Sequence, residues 1–249
     1  MKAMVLAAGL GTRLRPLTND RPKALVEIAG KTLLEITLAR LRVFGVRDVI
    51  VNVHHFADVV VDYLHAHDNF GFHIEISREE ELLDTGGGLK KAAWFFTEGA
   101  DADEPFLVHN VDVVSGIDLA KMVSFHLEND ALATLAVQKR ETSRLLLFDG
   151  EGVLCGRRSG AHGAMEMVRR AEVAAPLAFA GIHVLSPRIF TKLHEEGAFS
   201  IIPAYLRLAA EGERICAFRA DEYAWRDVGR PDSIRAAEQE MRDGGHGEQ

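Results

Sequence analysis

The stretch LAAGLGTRLRPLTNDRPKAL, residues 6–25, decides the fold. An apolar run, KAMVLAA at residues 2–8, leaves its strand through a loop that carries Gly9, Gly11, Arg13, Arg15, Arg21 and Lys23. A first strand that opens into so flexible and basic a loop fits the start of an open α/β sheet, where ligands sit beyond the carboxyl ends of the strands. Glycines let backbone approach a ligand and present amide donors, while arginine and lysine add charge-assisted contacts to phosphate oxygens. No GKS or GKT ends the loop and the GxGxxG spacing is missing, which excludes a Walker loop and a dinucleotide fingerprint.

Outward from the loop, KTLLEITLARLRVFGV (31–46) predicts a helix, with Thr32 and Glu35 in capping-box spacing, Leu34, Leu38 and Leu41 on one face, and Gly45 as the stop. DVIVNV (48–53), FHIEIS (72–77) and EPFLVHNVD (104–112) read as strands, with helices over FADVVVDYLHAH (56–67) and DLAKMVSFHLEND (118–130). This alternation is the βαβ signature of a largely parallel sheet. In the second half, ALATLAVQK (131–139), RLLLFDGEGVLCG (144–156, turning at Asp149-Gly150) and PLAFAGIHVLS (176–186) read as strands, and RRSGAHGAMEMVRRAEVAA (157–175) as a loop or flap. Helices are expected over PRIFTKLHEE (187–196), SIIPAYLRLAAEG (200–212) and PDSIRAAEQEMR (231–242), a strand over RICAFRA (214–220), and a frayed tail over 243–249. No repeat or linker divides the chain. The expectation is a single α/β domain over residues 1–242, Rossmann-like, with a mixed, mostly parallel sheet and helices on both faces.

A chain of 249 residues with 47% hydrophobic and 27% charged residues has the composition of a globular protein and no apolar run long enough to span a bilayer. A formal net charge of −8 argues against a nucleic-acid surface. The basic loop is therefore a local exception that suits a small anionic ligand. No export signal is visible, so the cytoplasm is the expected compartment. Cys155 and Cys216 have neither CxxC nor metal-site spacing. His54-His55, His65 and His67 read as structural or solvated, and His109 as a neighbour of the site.

GLGTRLRPLTNDRPKAL resembles the signature of the sugar-1-phosphate nucleotidyltransferases, G-x-G-T-R-x-x-P-x-T followed by P-K. VNVHH, DTGGGLKKA (84–92), HNVDV (109–113), FAGIHVLSP (179–187) and WRDVGRPDSI (225–234) are similar to further family segments, in the same order. The resemblance implies the nucleotide-diphospho-sugar transferase fold and transfer of a nucleotidyl group from a nucleoside triphosphate to a sugar 1-phosphate. It implies that Ala8, Gly9, Gly11 and Thr12 line the nucleotide, that Arg13 binds its outer phosphates and that Lys23 steadies the reacting phosphoryl group. Thr85, Gly86 and Gly87 fall in the base-recognition segment, and Gly181 on the sugar-phosphate side. Asp112 and Asp227 match the aspartates that hold Mg²⁺. Two features depart from the family: Val111 stands where many members have glycine, and GRRSG replaces a Glu-Lys-Pro, leaving Arg157 or Arg158 to grip the sugar phosphate.

Compact length, TGGG and the missing Glu-Lys-Pro are most similar to short bacterial members, uridylyltransferases of N-acetylmuramate 1-phosphate first and guanylyltransferases of mannose 1-phosphate next. The base, the sugar and the choice between monomer and small homo-oligomer stay open at this stage. Two alternatives remain: a phosphocholine-type cytidylyltransferase, which needs an aromatic cage, and a nucleotide-sugar sensor without catalysis.

Overall fold

Strands covered on both faces need apolar residues at odd and even positions alike. In the computed structural model, which describes residues 1–99, 104–159 and 163–244, that is how the sheet is built. Strand β1 (Lys2–Leu6) sends Ala3 and Val5 into one core and Met4 into the other. The loop then passes a short ribbon, β2 (Glu27–Ile28) and β3 (Lys31–Thr32), and enters helix α1 (Leu33–Val43). Thr32 caps α1 by accepting the Glu35 amide at 3.1 Å, an interaction worth about 1 kcal/mol. At the far end Gly45, at φ 75°, turns the chain out of the helix.

The chain continues through β4 (Asp48–Val53), α2 (Ala57–Ala66), β5 (His73–Arg78), α3 (Asp84–Lys91), α4 (Ala93–Thr97), β6 (Phe106–Asn110), β7 (Val113–Ser115) and α5 (Leu119–Glu128). The second half holds β8 (Ala133–Gln138), β9 (Arg144–Phe148), β10 (Leu154–Ser159), β11 (Met165–Met167), β12 (Ala175–Leu185), α6 (Ile201–Ala210), β13 (Ile215–Arg219), β14 (Trp225–Asp227) and α7 (Pro231–Gly244). The main sheet runs β5-β4-β1-β6-β12-β8-β13, and every pairing is parallel except those made by β12. Helices α1, α2, α5 and α7 cover one face, while α3, α4 and α6 cover the other. The N-terminal half of β12 also pairs with β9, from which β10 and β11 extend the sheet. Because the chain steps from β1 to β4 and β5 and then returns to β6 on the other side of β1, the strand order reverses there, and a crevice opens at the carboxyl ends of these strands.

Three expectations are corrected. Arg157–Ser159 continue β10 and Met165–Met167 form β11, where a loop was expected; all three β11 residues are exposed, so no apolar alternation marks this edge strand, and residues 160–162 lie outside the described residues. PRIFTKLHEE makes only a 3₁₀ turn, Pro187–Thr191, because Arg207 draws the following segment away by donating to the Lys192 carbonyl and the Glu195 carboxylate. Helix α7 runs through Asp243 to Gly244, into the stretch expected to fray, and residues 245–249 lie outside the described residues.

Candidate active site

The crevice holds a cavity of about 570 Å³ whose walls include Ala8, Gly9, Lys23, Asn110 and Asp112. Gly11 begins a 3₁₀ turn, Thr12–Leu14, from the left-handed region at φ 64°. A Cβ there would lie 3.0 Å from Thr18 and 3.1 Å from Lys23, so glycine serves both the turn and the packing. Thr18 closes the loop by donating to the Gly11 carbonyl at 2.9 Å. Among the described residues, no hydrogen bond is made by the backbone amides from Gly9 to Arg13. A run of uncommitted amides beside arginine and lysine is a concavity suited to anions. No substituent at Gly9 would meet another atom within 4 Å, which leaves that approach open.

Two further residues of the wall were given no role by the sequence motifs. Asn52 accepts the Ala7 amide at 2.7 Å and donates to Glu79 at 2.7 Å, and Glu79 accepts the Leu83 amide at 2.9 Å. These buried bonds tie the start of the basic loop to the segment that leads into α3. Sequence reading missed both residues; an asparagine inside the apolar run DVIVNV was the available signal. The triglycine then packs tightly. The Gly86 and Gly87 amides both donate to the Phe199 carbonyl, at 2.9 and 3.2 Å, and a Cβ on Gly87 would come within 2.5 Å of the Gly197 carbonyl. Thr85 lines the cavity and accepts the Ile201 amide at 3.0 Å through its hydroxyl.

Asp112 and Asp227, far apart in sequence, become neighbours through a ribbon of two short strands. β7 pairs with β14 so that Asp227 faces Val113, and the Val228 amide donates to the Asp112 carbonyl at 2.9 Å. One point gathers the site: a Cβ on Gly229 would sit 2.7 Å from Asp227 Oδ1, 3.1 Å from Arg13 Nη2 and 3.4 Å from Asp112 Oδ2. Lys23 donates to Asp112 Oδ2 in a close ion pair. Asp227 Oδ1 is also held by the Gly229 amide at 2.7 Å. Val111 is buried with its amide on the Leu6 carbonyl, so the side chain that replaces glycine fills the core at the end of β6. His109 is fully buried next door; burial pushes its pKa down to about 4, so the ring is neutral at pH 7.

On the other side of the aspartates, Gly181 takes a left-handed φ of 78° where β12 bulges in its pairing with β8, and a Cβ there would lie 2.9 Å from Asn110 Nδ2. The Trp225 indole donates to the Ala180 carbonyl at 2.7 Å, and the Arg140 guanidinium stacks on its ring at 4.0 Å. Trp225 is therefore occupied by a cation of the chain itself. Tyr205 is buried against His183, Tyr63 packs on His67 and Phe70, and Tyr223 stacks on Phe218, so each tyrosine packs against other rings of the chain. Arg157 pairs with Glu166 at 2.6 Å on the exposed hairpin of β10 and β11, and Arg158 carries a buried Nε without a partner. Neither lines the cavity. No three His, Cys, Asp or Glu side chains cluster among the described residues; Asp112 and Asp227 are two carboxylates that converge beside Gly229.

A loop of free amides, two convergent carboxylates and two cations at a strand-order reversal define a phosphate-handling α/β enzyme. The chain belongs to the nucleotidyl transferase family, whose model matches residues 2–145. It is 41% identical over 244 residues, 95% of both chains, to an N-acetylmuramate alpha-1-phosphate uridylyltransferase of Caulobacter vibrioides. It is 31% identical to a mannose-1-phosphate guanyltransferase of Yarrowia lipolytica, of whose length it spans 61%. Among solved structures, HddC from Yersinia pseudotuberculosis complexed with GMP-PN shares the fold at TM-score 0.75 and 22% identity, covering 96% of this chain and 99% of that one. No described helix is long and apolar enough to cross a membrane.

Proposed function

We propose that the chain transfers a uridylyl group from UTP to N-acetylmuramate 1-phosphate with Mg²⁺, giving the nucleotide-sugar and pyrophosphate. The observation that carries the chemistry is the convergence of Arg13, Asp112 and Asp227 on Gly229, with Lys23 on Asp112. The choice of base and sugar rests on the 41% identical uridylyltransferase, which matches this chain nearly end to end. We place the reaction in the cytoplasm, where nucleoside triphosphates are made.

A phosphate oxygen of the sugar attacks the α-phosphorus of the triphosphate in line. The new P–O bond forms as the bond to the bridging oxygen breaks, and pyrophosphate leaves with that electron pair. The attacking phosphate is already anionic, so no protein base is required; rate comes from alignment and charge stabilisation. The amides from Gly9 to Arg13 cradle the outer phosphates and Arg13 neutralises them. Lys23, held beside the site by Asp112, stabilises the α-phosphoryl oxygens, where negative charge is redistributed in the transition state. The donor set fits a hard cation, since Mg²⁺ is ordinarily bound by one or two carboxylates together with substrate phosphates, and Asp112 and Asp227 would hold it here. When bound, the cation relieves repulsion between the two anionic substrates.

A panel of triphosphates and sugar 1-phosphates, read by pyrophosphate release, tests this assignment. Release should require both substrates and Mg²⁺, and be fastest with UTP and N-acetylmuramate 1-phosphate. Nucleotide binding with silence across the panel would leave a sensor instead. Asp227→Asn should keep its melting temperature and UTP affinity but lose turnover at ordinary Mg²⁺, with partial recovery at high Mg²⁺ or with Mn²⁺. Near-normal activity of that variant or of Asp112→Asn would remove the metal assignment.

A further inference from the structure

Arg140 stands at the carboxyl end of β8, on the same rim as the loops after β1 and β6, and nothing in the chemistry above uses it. Its side chain is half-buried. Nη2 donates to the Phe179 carbonyl at 2.8 Å, the guanidinium carbon sits over the Trp225 ring 4.0 Å from its centroid, and Nε is buried without a partner. No carboxylate lies within ion-pair distance among the described residues; Asp227 acts on it only from farther off, and burial lowers its pKa from the usual arginine range against that attraction. The surroundings connect it to the cavity wall through Asn110, on the side where the resemblance puts Gly181 against the sugar phosphate. Phe179 leads into the bulge of β12 whose Ala180 carbonyl holds Trp225 and whose Gly181 packs on Asn110 of the cavity wall.

Removing an arginine from water without a counter-charge is costly, and arginine does not escape by losing its proton. A ligand that brings a negative group to this point resolves that cost. The reacting phosphates already meet Lys23, Arg13 and the aspartate-held cation. A planar guanidinium held over Trp225 with an unpartnered Nε has donors that match a planar acceptor, the geometry of a carboxylate. Muramate differs from glucosamine by a lactyl ether that ends in such a carboxylate.

We propose that Arg140 reads a carboxylate on the sugar phosphate, the lactyl group of N-acetylmuramate 1-phosphate, and so sets acceptor specificity. This rests on the nucleotidyl transfer proposed above. Arg140 is the acceptor-side cation that the resemblance sought in Arg157 or Arg158, but for the sugar's second anionic group rather than its phosphate.

The test compares N-acetylmuramate 1-phosphate with N-acetylglucosamine 1-phosphate, which lacks the lactyl group, for the wild type, Arg140→Gln and Arg140→Lys, with melting curves as a control on folding. Arg140→Gln should lower kcat/KM for the muramate substrate about 10- to 100-fold, mainly through KM, the range for one charge-assisted contact. The glucosamine substrate should change by less than about 3-fold on the same scale, and Arg140→Lys should recover part of the loss. Titrating UDP-N-acetylmuramate and UDP-N-acetylglucosamine gives the same comparison without turnover. Equal losses on both sugars, or none on either, would overturn the proposal. A wild type active only on sugar phosphates without a carboxylate would overturn it together with the muramate assignment. A preference for a different carboxylated sugar phosphate, such as glucuronate 1-phosphate, would overturn the muramate assignment alone, and Arg140→Gln would then have to abolish that preference.

Discussion

The chain has two glycine-rich stretches at the rim of its sheet, GLGTR after β1 and TGGG at the start of α3, and they use glycine for opposite ends. In the first, the backbone faces open space. Gly9 has nothing within 4 Å of a virtual side chain, and the amides from Gly9 to Arg13 have no partner among the described residues. In the second, the amides of Gly86 and Gly87 are engaged by the Phe199 carbonyl. The space where their side chains would stand is filled by the Phe199 ring and the Gly197 carbonyl, and a Cβ on Gly88 would come within 2.6 Å of Glu79. Glycine in one loop thus leaves backbone open to the crevice, and in the other lets α3 press against the segment before α6. The lesson is that a glycine run at a ligand crevice does not by itself identify the part that touches the ligand.

The comparison is sharpened most by the cations near each stretch. Lys23 reaches from the first loop to Asp112, whereas Lys90 of α3 donates to the Glu195 carbonyl at 2.6 Å, away from the aspartates. Lys23→Ala should lower kcat by about 100-fold or more, the effect of losing one preorganised charge at a reacting group, with little change in triphosphate affinity. Arg13→Ala should act mainly on KM for the triphosphate, and Lys90→Ala on stability alone. Single-turnover rates and equilibrium binding separate these cases. Comparable kcat losses for Lys23→Ala and Lys90→Ala would break the distinction.

Next in size is Gly87→Ala. Its new methyl meets a backbone carbonyl at 2.5 Å, an atom that moves only if the chain moves. Overpacking of this kind costs about 1–3 kcal/mol, which for a chain of this size lowers Tm by several degrees. The same variant should leave triphosphate KM nearly unchanged once measured well below its Tm. A large rise in KM with an unmoved Tm would mean that the triglycine touches the nucleotide after all.

How much of this was legible from the sequence depended on whether a function leaves a local pattern. The parallel half of the sheet was readable because residues such as Val49, Ile50 and Val51 are apolar in unbroken runs that only a doubly covered strand needs. Asp112 and Asp227 stood out beside quoted motifs, yet what joins them is a ribbon of two three-residue strands, too short to show any period. Asn52 and Glu79 are a single pair with no spacing rule; the asparagine breaks an apolar run, but only the hydrogen bond shows that Glu79 is its partner. Arg157 and Arg158 stand in line where a family motif is missing; the structure sets Arg157 on an exposed hairpin with Glu166 and brings Arg140, from the loop after β8, to Trp225. Stacking and the lack of a counter-charge are tertiary facts, and they have no sequence signature.

The smallest expected effect is also the most exposed to failure. Gly9→Ala adds a methyl where no atom of the chain lies within 4 Å, at a residue whose φ is outside the left-handed region. The folded state should tolerate it, with a stability change within about 0.5 kcal/mol and hence a Tm shift of no more than a degree or two. If phosphate oxygens approach the amides at this point, the methyl stands in their way, and KM for the triphosphate should rise about 3- to 10-fold, equivalent to part of one hydrogen bond. Steady-state kinetics with the sugar phosphate saturating reads this rise, and differential scanning fluorimetry reads the absence of a stability change. An unchanged KM would move the phosphates away from Gly9 and leave the loop as a basic turn, while a Tm loss like that of Gly87→Ala would show that both glycine stretches are packing devices.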